Sequence, residues 1–412
     1  MAEQGSAKEP AHTTGEPEVS GLAWLRPAVL RRFDQGERSA TWLELFFDLC
    51  FVVAVAALAS YLHSNPTLSG LLHFGGLFVP IWWAWMGFTW HATSYDTDDV
   101  PYRLTFFAAM LTIVVLAASL EGIKHGDSTG FVMAFAALQA LLVWLYLRAR
   151  HYATEDRTMC TRFAIGYAVG GLVWLASLLV GEPARYWVWG LGIVVLMGAP
   201  TLAVRAFAQP MFDSSHIPER YGLFTIIVLG ESIVAVAAVT ADIGWSPGSA
   251  VAGAAGFGIA ICYWWIYFEF VTASALTRDD LVRAFIWGYG HLAIYVGIAA
   301  TAVGVEFAVE GAAEGHALKA VERAVLGGGL LAYLVGIITI HLATIRGWDS
   351  FLGVRVAAVI VILGLSVGGS ELSAPLFMGL LLTTILGVSI FETIRHVRFA
   401  TPTSPAATEP AG

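Results

Sequence analysis

Five ionisable side chains sit where the surrounding sequence is almost wholly apolar: Glu44, Asp48, Glu231, Glu269 and His291. Glu44 and Asp48 fall within TWLELFFDLCFVVAVAALA, residues 41–59, and Glu231 lies in Gly230-Glu231-Ser232. An ionised carboxylate in hydrocarbon costs roughly 2.5–3.5 kcal/mol even on a lenient insertion scale, so it must face a cavity, a partner or the interior of a bundle. Burial also favours the protonated form, which suits Glu231 as a reversible proton site.

Each of these residues also has a plainer reading. Thr41-Trp42-Leu43-Glu44 fits a capping box, in which the Glu side chain reaches back to the helix-starting N–H. Asp48 lies one turn deeper on the same face. It either binds an ion or pairs with an Arg or a Trp N–H to join two helices. Glu231 comes twelve residues after Glu219, about 18 Å along a helix, which places it near the bilayer midplane. The alternative there is a protonated Glu making one interhelical hydrogen bond. His291 and Glu269 are secondary polar lining, and a lone helical His is more often a packing residue than a ligand. Asp98-Asp99 and Asp279-Asp280 read as solvated helix caps, with Pro101 suited to a first turn.

The elements that position these groups follow from composition. Hydrophobic residues make up 57% of the 412, charged residues only 13%, and the mean hydropathy is +0.71. A bilayer crossing needs about 20 mostly apolar residues. Twelve such segments occur, at about 43–62, 69–91, 104–121, 130–149, 162–181, 185–204, 219–240, 248–271, 282–304, 323–345, 354–370 and 374–392. Backbone satisfaction in lipid makes them helices, since no two-residue alternation suggests a barrel. The expected fold is an all-α integral membrane protein. With the N-terminus inside, eighteen Lys and Arg residues fall on that side and four (Lys124, Arg185, Lys319 and Arg323) on the other. That asymmetry predicts that both termini are cytoplasmic.

The chain also repeats. Val53-Ala54-Val55-Ala56-Ala57 returns as Val234-Ala235-Val236-Ala237-Ala238, Trp82-Trp83 as Trp264-Trp265, and Asp98-Asp99 as Asp279-Asp280, at offsets of 181 or 182. Six helices per half is an even number, so the repeat is parallel, with its axis along the membrane normal. The domains are then a disordered tail over 1–40, a six-helix repeat over 41–205, a cytoplasmic linker over 206–218, a second repeat over 219–395 and a tail over 396–412. The Trp pairs are assigned to interfacial belts or packing. The 305–322 stretch is expected to be a loop.

Enzyme signatures are missing: the sequence contains no HExxH, GxSxG, Walker loop or strand-linked GxGxxG. The three cysteines, Cys50, Cys160 and Cys262, show no metal-ligand spacing. No catalytic residue, metal or cofactor is expected, and a net charge of −9 offers nucleic acid no basic face.

Two stretches carry a resemblance. Glu44-Leu45-Phe46-Phe47-Asp48-Leu49 followed by Phe51-Val52, and the run from Glu219-Arg220 to Gly230-Glu231-Ser232, resemble the bacterial low temperature requirement protein A family over about residues 40–395. The resemblance implies a multi-pass plasma-membrane protein, linked by the family's name to growth in the cold. The motif residues it presents are Glu44, Phe47, Asp48, Glu219, Arg220, Gly230 and Glu231. Phe46-Phe47-Asp48 is also similar to the Phe-Ser-Asp signature of a potassium-channel family, although Leu229 stands at the matching place in the second half.

The function expected from these readings is proton- or cation-linked transport, or conduction, along helices 1 and 7, with membrane lipids and a small ion or solute as partners. The alternatives are an intramembrane enzyme acting on lipid, and a non-catalytic scaffold or sensor. Substrate and oligomeric state are left open.

Overall fold

The computed structural model describes residues 25–30, 39–153, 156–204, 216–271, 281–345 and 347–400. Most of both expected tails, the linker up to residue 215, Asp279-Asp280 and Arg205, Arg278 and Arg346 lie outside these residues.

Thirteen helices follow one another among the described residues: α1 (Trp42–Ser64), α2 (Leu68–Ser94), α3 (Val100–Ala118), α4 (Leu120–Lys124), α5 (Thr129–Tyr152), α6 (Arg157–Ala176), α7 (Ala184–Val204), α8 (His216–Ile243), α9 (Pro247–Phe270), α10 (Leu281–Glu314), α11 (Ala320–Thr344), α12 (Ser350–Gly368) and α13 (Ala374–Ala400). A two-residue strand pair, β1 (Val29–Leu30) with β2 (Tyr95–Asp96), runs antiparallel. Eleven helical stretches are long and apolar enough to cross a membrane, α3 and α4 together forming one of them. The 21-residue α7 occupies the remaining expected span.

Helix starts follow local chemistry. Thr41 and Glu44 form the full capping box: Glu44 N donates to Thr41 Oγ1 at 3.3 Å and Thr41 N to Glu44 Oε2 at 2.7 Å. Replacing Thr41 with Ala removes one half of it and is expected to cost about 1 kcal/mol, measured as a lower unfolding midpoint in detergent. Asp99 caps α3 through Tyr102 N at 3.0 Å. It is not the solvated cap expected from the sequence, because Arg148 Nη2 and the Arg26 N–H also donate to it and it is buried. The 305–322 loop is likewise helical as far as Glu314. Val305, Ala308 and Val309 are buried, so packing carries α10 past the length a bilayer needs.

α10 is the hub, packing against α1, α2, α8, α9, α11 and α13, and α1 touches α2, α3, α8 and α10. The interior is aromatic: Trp82, Trp83, Trp85, Trp287, Tyr221 and Tyr295 are all fully buried. Trp264 and Trp265, their counterparts by sequence offset, are outward-facing at 48% and 41% exposure. Leu111, Val194, Ile360 and Val367 are exposed as well, an arrangement suited to lipid and costly in water.

α10 and α11 approach each other through glycines. A Cβ on Gly297 would lie 2.5 Å from Tyr333 N and 2.7 Å from Gly329 O, and one on Gly304 would lie 2.4 Å from Leu326 Cα. The small residues expected to allow close helix contacts therefore bring backbone against backbone here. On the opposite flank, α12 and α13 are joined by Arg355, whose Nε and Nη2 reach Glu392 at 2.6 and 3.0 Å in a buried fork.

Candidate functional site

The acids near the start of α1 meet the first turns of α8. Asp48 accepts from Arg220 Nη2 at 2.6 Å, from Arg220 Nε at 3.1 Å and from Trp85 Nε1 at 2.7 Å. One Glu44 oxygen serves the cap, while the other faces Arg220 Nη1 at 3.3 Å and His216 Nε2 at 3.6 Å. All four side chains are at most 1% exposed. Two carboxylates, one guanidinium and one imidazole thus share a dry volume. The fork geometry explains an Arg here, since two parallel N–H groups match a carboxylate edge and a point-charge ammonium does not. His216 also lies 3.7 Å from Glu219, and Glu219 accepts from Ala40 N at 3.2 Å.

An aromatic layer seals this cluster. Trp85 stacks on Phe224 at 4.5 Å and meets Tyr221 edge-on at 5.0 Å. The Tyr295 hydroxyl donates to the Tyr221 carbonyl at 3.0 Å. On α8, buried Phe224 and Val228 separate Arg220 from Glu231. Phe47, the aromatic of the first motif, packs on Phe51, Phe88 and Phe106.

Beyond that layer lies a cavity of about 390 Å³ between α1, α8 and α10. Glu231, Asp242, Glu306, Glu310, His63 and Ser60 are among its walls. His63 Nδ1 lies 2.7 Å from Glu306 and its Nε2 lies 3.3 Å from Glu310. A carboxylate at each ring nitrogen is satisfied by imidazolium, which has two N–H donors, and not by either neutral tautomer. Gly230 precedes Glu231 and has open space where a Cβ would stand.

The expected site residues therefore divide. Glu231 is half-buried on the cavity wall. Asp48 and Glu44 lie on the far side of the aromatic layer, locked to Arg220. His291 is fully buried, bonded to the Tyr267 hydroxyl at 3.0 Å and the Trp287 carbonyl at 2.8 Å, outside the cavity. Glu269 is half-exposed at the end of α9, 4.0 Å from His396. His63, Asp242, Glu306 and Glu310 were not singled out by sequence. The signal that could have found them is the i,i+4 pair Glu306 and Glu310 inside an otherwise apolar run. Among the described residues, no group of three or more His, Cys, Asp or Glu side chains is placed to hold a metal ion.

The model of the bacterial low temperature requirement A protein family matches residues 39–390. An uncharacterized protein of Rhizobium meliloti (strain 1021) is 30% identical over 298 residues, covering 68% of this chain and 72% of its own length. The match spans the buried cluster, the aromatic layer and the acid-lined cavity alike. This multi-pass membrane protein belongs to the bacterial low temperature requirement A family.

Proposed function

We propose that the chain carries protons or a small monovalent cation across the bacterial plasma membrane along α1, α8 and α10. The observation behind this reading is the convergence of Glu231, Asp242, Glu306, Glu310 and His63 on one cavity. Such a wall concentrates cations and repels anions, and a carboxylate partway down a spanning helix is the usual mark of an ion or proton path. The Asp48–Arg220 fork and the aromatic layer close the opposite end. The arrangement therefore corresponds to a carrier open on one side only.

In this reading both termini are cytoplasmic and the cavity opens outward. Residues 41–205 and 219–395 are two tandem repeats. In support, α1 contacts α2 and α3 as α8 contacts α9 and α10. Helices α1 and α8 then hold equivalent places, with the path running between symmetry mates. Asp48 and Glu44 act as the closing pair with Arg220 and bind no ion while that fork is intact. Glu231 is the residue that takes up and releases the cation.

Proteoliposome flux tests the proposal, using an internal pH dye for protons and flame photometry for sodium and potassium. Glu231→Gln is expected to lower flux at least about tenfold, a barrier increase of roughly 1.4 kcal/mol, with the unfolding midpoint unchanged. Glu306→Gln is expected to have a smaller effect, because Glu310 remains at the mouth. Wild-type flux from Glu231→Gln, or no cation flux above empty liposomes in the parent, excludes the reading.

A further inference from the structure

Two cavities on the α2–α7 side of the molecule adjoin, and we infer that together they hold one zwitterionic phospholipid. The first, about 430 Å³, is a crevice between α2 and α7 walled by Trp174, Trp189, Pro80 and Ile193. Trp174 and Trp189 stack there at 4.9 Å. The second, about 310 Å³, is polar, with Asn65, Thr67, Ser69, Lys124 and Glu182 on its walls. His73 and Tyr186 line both chambers, and His73 Nε2 lies 3.3 Å from the Tyr186 hydroxyl. An apolar slot and a polar chamber thus meet at one hydrogen-bonded pair.

Their position fits a lipid. The polar chamber lies where α1 ends at Ser64, α2 begins at Leu68, α4 ends at Lys124 and α7 begins at Ala184, the level of a headgroup layer. The crevice runs down α2 from there, through Gly76 to Pro80. Trp187, 82% exposed on α7, stands where interfacial aromatics collect.

Charge selects the headgroup. Lys124, 18% exposed, pairs with Glu121 at 2.7 Å and donates to Ser64 Oγ at 3.5 Å, which leaves the third N–H of its ammonium for a phosphate oxygen. Glu182, exposed and lining the same chamber, suits a primary ammonium. One cation and one carboxylate in the same chamber match phosphatidylethanolamine and disfavour phosphatidylglycerol, whose headgroup has no positive end. The acyl chain occupies the Trp174–Trp189 slot. This site is separate from the α1–α8–α10 cavity and does not depend on the transport reading.

Glycines supply a clean test. Gly76 and Gly190 both line the crevice, and a Cβ on either would meet nothing within 4 Å. Leucine there fills the slot without displacing protein. Delipidated full-length protein is titrated in detergent with dioleoyl-phosphatidylethanolamine or dioleoyl-phosphatidylglycerol and read by native mass spectrometry. One saturable phosphatidylethanolamine adduct is expected, with about tenfold weaker binding in Gly190→Leu, in Lys124→Gln and with the phosphatidylglycerol probe. Gly364→Leu, which also points into open space but on α12, is expected to bind as the parent does. Adducts that never saturate, or that persist at parental affinity in both Gly190→Leu and Lys124→Gln, mean annular lipid only and overturn the site. Equal affinity for the two headgroups overturns the role given to Glu182.

Discussion

Replacing Arg220 with methionine is expected to lower stability by about 3–5 kcal/mol, the range found when one partner of a buried ion pair is removed. Asp48 would lose the two guanidinium hydrogen bonds at 2.6 and 3.1 Å, and Glu44 its charge partner at 3.3 Å. Neither carboxylate has water to turn to, because both are at most 1% exposed. Adding Glu44→Gln and Asp48→Asn to Arg220→Met is expected to recover most of the loss, since neutral amides no longer need a cation. Arg220→Lys should fall between, keeping the charge but not the fork. Equilibrium unfolding by steric trapping in bicelles provides the readout. An Arg220→Met protein as stable as its parent would show that the cluster does not hold α1 to α8.

The second large effect is steric. Gly297→Ala places a methyl 2.5 Å from the Tyr333 backbone N and 2.7 Å from the Gly329 carbonyl. No flexible side chain stands there to give way, so α10 and α11 must separate along their length. A loss of about 3 kcal/mol, the upper part of the overpacking range, is expected. Gly328→Ala on α11, turned away from α10, meets nothing within 4 Å and should be neutral, or stabilising by about 0.5–1 kcal/mol through helix propensity. Comparing the two variants by unfolding midpoint separates close approach from propensity, and equal behaviour would refute the backbone contact.

Much of the helical frame was legible in the sequence because apolar length is the dominant signal in a membrane chain. Each of the twelve expected segments overlaps a long helix, with 104–121 running from α3 into α4 and 162–181 past the end of α6. The Thr41–Glu44 cap was legible too, being encoded within four residues. Asp48 was legible as a residue needing a partner, and both an Arg and a Trp N–H reach it. Which Arg was not legible, because Arg220 is 172 positions away and only packing brings α1 beside α8. Glu306 and Glu310 were assigned to a loop because the expected apolar segment ended at residue 304. In the structure His63, on another helix, reaches both carboxylates, and buried Val305, Ala308 and Val309 carry α10 through them. Trp82-Trp83 and Trp264-Trp265 share a dipeptide but not an environment. Burial depends on the neighbouring helix, α10 and α5 against α2 but lipid against the outer face of α9, and a single sequence carries no record of that neighbour.

The glycine contacts between α10 and α11 have a mechanical consequence. Two rods touching at the main chain cannot press closer or slide past one another without collision, so close packing couples them as a pair. One long face of that pair forms a wall of the acid-lined chamber, through Ala299, Ala302, Glu306 and Glu310. In the transport reading proposed above, this wall is the stationary element and α1 and α8 are the parts that move.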